Sequence, residues 1–295
     1  MDLDDVLGPP VEGLRVAAGG ALRRALSGGT DAGPPDWSDR VDDGLFGPGS
    51  VAWRIHADPS MFVGGLRALL LQTLHPPTMA GVADHSDYRN DPWGRLHRTG
   101  RYLGTTTFAD TSRAERMIAT VTRAHDRIEG VTPDGQPYRA NDPHLLGWVH
   151  ATEVDSFLRA YQRYGPERLL RADGDRYVAE MGVVGAKLGV TDPPTSRAEL
   201  AHTLDQYRPE LDVGDQARDA VRFLLFPPAE LALRPAYAVI AGASIGLLPA
   251  WARHLLRLPS PPGSDRFLVR PAAKALLGGL GWILGAPLSA EVAHR

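Results

Sequence analysis

Helix-start signals followed by apolar residues at helical spacing recur along the sequence, and this pattern constrains the fold most. An Asp-Pro-Ser triplet ending at Ser60 precedes one apolar run, and Ser112 with Glu115 forms a capping box before the next. Asp142 and Ser196 start two further helices. Runs in which β-branched or aromatic residues alternate with polar ones are rare. The sequence therefore predicts an all-α fold, a single helical domain with essentially no sheet.

Composition divides the chain into three parts. Residues 1–50 hold a basic amphipathic helix at 11–27 and a Gly/Pro-rich linker. Residues 51–259 form the main domain, and residues 260–295 form an apolar extension after a second linker. A length of 295 residues fits one large domain with extensions.

Charge and cysteine content exclude several functions. The formal net charge is −3 without a basic excess, which argues against nucleic acid as a partner. The sequence has no cysteine, so disulfides, thiolate metal sites and cysteine-held iron–sulfur clusters are excluded. A protein-bound metal must then use carboxylates, some of the ten histidines, or a pre-made macrocycle.

The N-terminus is acidic and lacks the order of a signal peptide, so a cytoplasmic location is expected. Residues 235–252 carry no charge, but at 18 residues the segment is short for a membrane span. A buried helix hairpin is the favoured interpretation. Peripheral membrane contact, through this segment or the helix at 11–27, stays open.

His125 lies on the apolar face of a helix predicted over residues 112–130. It follows Val121 by four residues and precedes Ile128 by three, so its ring should be buried with them. The other apolar positions on this face are Met117, Ile118 and Ala124. A neutral imidazole in apolar surroundings suits a haem iron. A histidine satisfied by hydrogen bonds within the core is the alternative.

His150 occupies a similar position on the next predicted helix. Glu153 follows it by three residues and therefore shares its side. The pair is either a pocket group whose ring the carboxylate orients or a buried His–Glu hydrogen bond.

Two other groups of residues have metal-ligating side chains. His75, Asp84 and His85 lie close in sequence, where turn and cap chemistry is favoured over a metal. The E-x-x-H pairs Glu199/His202 and Glu291/His294 resemble the ligand pattern of a di-iron bundle. Their settings, a polar helix and the chain terminus, argue against that site.

Three sequence blocks resemble the family of MpaB-like oxygenases and latex-clearing rubber oxygenases. The blocks are LLLQTLHPPTMAGVADHSDYRNDPWGRLHRTGRYL, RAHDRIEG and NDPHLLGWVHATEVDSFLRAYQRY, and the likeness extends from about Val51 to Pro259. The resemblance implies an all-helical, globin-like core with haem b that cleaves isoprenoid double bonds with dioxygen.

The resemblance also implies site residues. Rubber oxygenases have a distal Arg-x-x-Lys-Thr element, which Arg95, Arg98 and Thr99 match with Arg98 in place of lysine. Their proximal iron ligand, about thirty residues later, corresponds to His125, with His150 as the second choice. This chain departs from the family in two ways: Thr122 and Glu129 replace the arginines that flank the ligand, and the general-base glutamate has no counterpart.

The sequence thus predicts a haem b-dependent oxygenase acting on a small hydrophobic substrate, isoprenoid or unsaturated lipid. One alternative is a non-catalytic protein that binds haem or another hydrophobic ligand. The other is a non-haem metalloenzyme using His75, His85 and His125. The oligomeric state stays undetermined.

Overall fold

The computed structural model describes residues 39–228, 231–259 and 263–284, so the helix predicted at 11–27 lies outside it. These ranges contain twelve α-helices, a 3₁₀ turn (Arg208–Glu210), a π turn (Asp265–Val269) and two short strands. The helices are α1 (Val51–His56), α2 (Met61–Gln72), α3 (Pro76–His85), α4 (Pro92–Phe108), α5 (Thr111–His125), α6 (Pro143–Tyr164), α7 (Arg171–Leu188), α8 (Arg197–Gln206), α9 (Asp215–Leu225), α10 (Arg234–Leu247), α11 (Ala250–Leu255) and α12 (Arg270–Leu284). The predicted all-α fold is confirmed.

The helix predicted to reach Gly130 ends earlier, at His125. The chain then forms a hairpin from β1 (Glu129–Val131) and β2 (Pro137–Arg139), in which Gly130 pairs with Tyr138. The Thr-Pro-Asp-Gly sequence before β2 favours this turn, and Gly135 adopts the left-handed φ of 91° that the turn requires. The prediction of one helix through Gly130 was therefore wrong, because it gave this turn signal no weight.

Helix caps were predicted with mixed success. The Asp142 carboxylate accepts from His144 N and the Ser196 hydroxyl accepts from Glu199 N, as expected. At α5 the cap is Asp110, whose Oδ1 accepts from Arg113 N at 2.8 Å, and not Ser112. A carboxylate at the helix N-terminus also interacts favourably with the helix dipole. Ser112 therefore lies within the first turn, and the predicted capping box was wrong.

Helix α6 runs through the centre of the fold and packs against α1, α2, α7 and α8. Its Trp148 and Tyr161 are fully buried. Arg67 of α2 is only 1% exposed and forms a 2.7 Å ion pair with Asp155 of α6. Its Nε atom also donates to Leu247 O at 3.0 Å, so one guanidinium connects α2, α6 and α10.

The uncharged segment 235–252 forms most of α10 and the start of α11, with a break at Leu248 and Pro249. Helix α10 packs on α2, where the Ser244 hydroxyl donates to Val63 O at 3.0 Å. No helix in the described ranges is both long and apolar enough to cross a membrane. The segment is thus a helix pair that packs within the fold.

Helix α12 covers the other side of α10. Its Ala273 and Leu277 are buried in a cluster with Val63 and Tyr164. The apolar character of this stretch is accordingly used in packing against the main body.

Candidate functional site

His125 is the last residue of α5, where the chain leaves the helix towards the hairpin. Its ring is partly buried, and its Nδ1 atom is enclosed with no hydrogen-bond partner in the described part of the chain. Burial lowers the pKa of His125, and Asp126 and Asn141 offset part of this effect. The imidazole is therefore neutral at pH 7 and keeps an unpaired nitrogen, as a metal ligand requires.

The expected full enclosure of His125 within an apolar stripe does not hold. Ala114 and Ile118 on α5 are buried, but Ala124 is exposed and Ile128 lies beyond the end of the helix. Because the helix stops at His125, its ring has a polar neighbour in Asn141, which donates to Thr122 O at 3.3 Å.

His150 lies deep in α6 and is 8% exposed. Burial lowers its pKa to about 4, and its Nε2 atom has no partner among the residues described. The buried hydrogen bond between His150 and Glu153, one of the two interpretations of this pair, is therefore not formed through Nε2. A Cβ added to Gly185 of α7 would lie 2.8, 3.0 and 3.1 Å from Cε1, Nδ1 and Nε2 of the ring. These near-equal distances mean that the face of the ring packs on Gly185, so Gly185 does not lie in the plane of the Nε2 lone pair.

Glu153 is an ionisable group in the interior whose chemistry the sequence did not reveal. Burial raises its pKa to about 7, and an interaction with Gln72 partly opposes this shift. Burial likewise raises the pKa values of Tyr102 and Tyr177, and the charge of Glu153 adds to both shifts. Glu153 can thus gain or lose a proton near neutral pH.

A second buried polar group lies beside it. His56 Nδ1 is 2.7 Å from the Thr107 hydroxyl, and its Nε2 is 3.0 Å from the Tyr177 hydroxyl. Burial lowers the pKa of His56 to about 3, so the ring stays neutral. Tyr177 thereby connects His56 to the surroundings of Glu153.

Burial strongly shifts the pKa values of three ionisable side chains on α1, α4 and α6, namely His56, Tyr102 and Glu153. Each of them keeps some accessible surface.

The predicted distal residues separate into two sets on α4. Arg95 turns inward: burial lowers its pKa, and it donates to the Ser86 hydroxyl at 3.1 Å. Arg98 is exposed and pairs with Asp91 at 3.2 Å, and Thr99 is also exposed. Tyr102, seven residues after Arg95 and so on the same helix face, is an inward group that this spacing could have revealed.

The residues proposed as non-haem ligands do not assemble. His75 precedes α3 and His85 ends it, and a ten-residue helix separates its ends by about 15 Å. His85 Nε2 contacts Glu129 O at 3.1 Å, and Asp84 accepts from the Tyr138 hydroxyl at 2.7 Å. The ligand set of His75, His85 and His125 was therefore wrong, and turn and packing chemistry explains His85 and Asp84.

A different set has the geometry of metal ligands. Within the ranges that the structure describes, it consists of His75, His144 and Glu210. Of the two E-x-x-H pairs, Glu199 accepts from Thr195 N in an exposed position, and Glu291/His294 lies outside the described residues.

The described ranges form an all-α fold in which His125 and His150 each have an enclosed imidazole nitrogen without a partner. The family model described as "ER-bound oxygenase mpaB/B'/Rubber oxygenase, catalytic domain" matches residues 53–277, from α1 into α12. The chain belongs to this family and carries an oxygenase-type catalytic domain. No curated protein and no solved structure matches it significantly.

Proposed function

We propose that this protein is a haem b-dependent oxygenase that uses dioxygen on a hydrophobic substrate, an isoprenoid or an unsaturated lipid. Family membership supports the oxygenase class. The haem assignment rests on two of the three enclosed imidazole nitrogens that lack partners in the described residues, those of His125 and His150; the third belongs to His97. A buried polar atom without a partner costs about 1–3 kcal/mol, and a bound iron would remove that cost.

His125 is the proposed iron ligand. Its neutral ring follows from the lowered pKa, and Asn141 stands where it can orient the ring. A ligating imidazole commonly has its second nitrogen held in this way. His150 is the second choice, because its free Nε2 and its packing on Gly185 would also permit ligation.

Bound haem b would supply the oxygen chemistry, and the protein would set polarity and access. Arg95 is the inward cation on α4 and would stabilise negative charge developing on oxygen. Thr99, one turn after Arg95, is exposed in this structure and would offer a hydroxyl. Arg98 would have to leave its ion pair with Asp91 to take part. Glu153, with its pKa near 7, would hold the proton that an oxygen reaction consumes or releases.

Reconstitution tests this proposal. The purified chain is incubated with haem b, and its Soret band and its oxygen consumption with squalene are measured. His125→Ala should lose haem or hold it weakly with a shifted band, whereas His150→Ala should perturb the band but retain haem. His202→Ala, which removes an exposed histidine on α8, is the matched control and should behave as the parent.

Two outcomes would change the assignment. Haem loss in His150→Ala with a normal band in His125→Ala would transfer the ligand role to His150. A parent protein that develops no Soret band would refute haem binding altogether.

A second candidate function, haem binding without turnover, is favoured by the surroundings of His125. Thr122 and Glu129 occupy the positions of the arginines in rubber oxygenases. The Thr122 hydroxyl donates to Ile118 O, and Glu129 pairs with Arg139, so neither brings positive charge to the ring. Stoichiometric haem binding with no oxygen consumption above that of free haem would select this function.

A further inference from the structure

Three potential ligands meet away from His125 and His150. His75 is the N-cap of α3, His144 lies in the first turn of α6, and Glu210 ends the 3₁₀ turn after α8. Their ligand atoms all lie within 4.8 Å of one another. Residues from three separate segments thus converge on one small volume.

The distances between these atoms are close to those of a metal site. Glu210 Oε2 lies 3.5 Å from His75 Nε2 and 2.6 Å from His144 Nε2. Tetrahedral zinc with bonds of about 2.0–2.1 Å separates its ligand atoms by roughly 3.3 Å. The first pair already has this spacing, and the second would need to open by less than about 1 Å. That movement is small, because the His144 and Glu210 side chains are each about half exposed.

His75 is held ready for ligation. Its side chain is 1% exposed, and its Nδ1 lies 2.9 Å from the Thr78 hydroxyl. A hydroxyl can donate or accept, so Thr78 supports either ring tautomer. When Nδ1–H donates to Thr78, Nε2 presents its lone pair towards Glu210 and His144. Such a second partner is the usual companion of a metal-ligating histidine.

The backbone around His144 is also fixed. The Tyr207 hydroxyl donates to His144 O at 2.7 Å, and the two rings stack with centroids 4.6 Å apart. A Cβ added to Gly147 would meet that hydroxyl at 2.6 Å, so glycine lets α6 approach Tyr207 closely.

We propose that His75, His144 and Glu210 bind a divalent transition-metal ion of the zinc type, with water as the fourth ligand. Two imidazoles and one carboxylate are a zinc donor set, and the half-exposed side of the site gives water access. The ion would tie the starts of α3 and α6 to the 3₁₀ turn and stabilise the fold. This site is separate from the haem proposal and stands or falls without it.

Metal titration of the haem-free full chain, stripped with chelator and dialysed, tests the site. Zinc binding is measured by calorimetry, and cobalt binding by its visible absorption bands. One equivalent should bind and raise Tm by about 5 °C at hundredfold excess over Kd, reversibly with chelator. His144→Ala and Glu210→Gln, both at half-exposed positions, should weaken binding at least tenfold, and Thr78→Val should weaken it about 10–100-fold.

His254→Ala removes an exposed histidine outside the site and is the control, which should bind as the parent does. The proposal is overturned if the parent binds no zinc or cobalt at 0.1 mM (roughly the weakest affinity of interest for a specific site). It is equally overturned if His144→Ala and Glu210→Gln bind as tightly as His254→Ala.

Discussion

Replacing Gly185 with alanine tests the packing that leaves the His150 nitrogen free. The new Cβ would lie 2.8 Å from Cε1 of the His150 ring, closer than real Cβ contacts allow. The ring is 8% exposed and sits among packed helices, so it has little room to move aside. The substitution should therefore force either the ring or α7 to shift.

The magnitude follows from two opposing effects. Glycine within a helix costs about 0.5–1 kcal/mol relative to alanine, so the change alone would stabilise α7. Overpacking a core position costs about 1–3 kcal/mol. Gly185→Ala should thus lower the free energy of unfolding by up to about 2 kcal/mol, a Tm decrease of up to roughly 3 °C for a chain of this size.

The control is Gly278→Ala on α12, where an added Cβ meets nothing within 4 Å. It should stabilise by about 0.5–1 kcal/mol in the same urea and thermal unfolding assays. The double variant His150→Ala/Gly185→Ala removes the ring that the new methyl meets. In the His150→Ala background, Gly185→Ala should change the stability as Gly278→Ala does. The difference from its effect in the parent is a coupling free energy of about 1–3 kcal/mol.

The reasoning fails on either of two results. If Gly185→Ala stabilises the protein as much as Gly278→Ala does, the His150 ring does not pack on α7. If Gly185→Ala still lowers the stability in the His150→Ala background, the added methyl group clashes with another residue.

In haem-loaded protein, Gly185→Ala should also shift the Soret band if His150 borders the cofactor, and Gly278→Ala should not.

Three further predictions concern the interior. Arg67→Ala should destabilise by about 1–3 kcal/mol in urea unfolding, because Leu247 O loses its donor and Asp155 keeps only Arg159 as a partner, whereas a loss below about 1 kcal/mol would contradict the buried pair. Glu153→Gln should remove a pH dependence: the folded pKa near 7 exceeds the unfolded value near 4.5, so ionising Glu153 lowers parental stability as pH rises from about 4.5 to 7. Across that pH range the stability of the variant should rise by up to roughly 3 kcal/mol relative to the parent, as measured by unfolding at several pH values. A stability difference that does not change with pH would refute the raised pKa of Glu153. Asp110→Ala should cost about 1 kcal/mol by removing the α5 cap, and Ser112→Ala, its control, should cost less in the same assay.

Local signals in the sequence were sufficient for much of the fold. Asp142 and Ser196 cap their helices because a cap depends on residues two or three positions away. The prediction of Ser112 as a cap was wrong for the same local reason, because Asp110 lies two residues earlier and offers a stronger acceptor. The hairpin after His125 was missed because the helical period was extended to Gly130, and no strand was assigned on either side of the Thr-Pro-Asp-Gly turn.

The candidate sites depended on information that no local pattern contains. Glu210 comes 135 residues after His75, and only tertiary packing brings them together. His75 and His85 are close in sequence but lie at opposite ends of α3. The predicted histidines His125 and His150 do have enclosed nitrogens, yet whether either binds a cofactor depends on surroundings that the sequence does not specify.

The interior of this protein retains polar groups that a fold selected for stability alone would have lost. Glu153, His56 and His150 are shifted towards their neutral forms, and the shifted pKa of each is a free-energy cost of keeping an ionisable group there. Arg67 and Asp155 form a buried ion pair, but the free-energy costs belong to other residues. Hydrogen bonds satisfy His56, but Nε2 of His150 finds no partner within the described ranges. Of these groups, the unpaired Nε2 of His150 is the one that a bound ligand would satisfy. Glu153, His56 and His150 are therefore the first residues to vary in testing the oxygenase proposal.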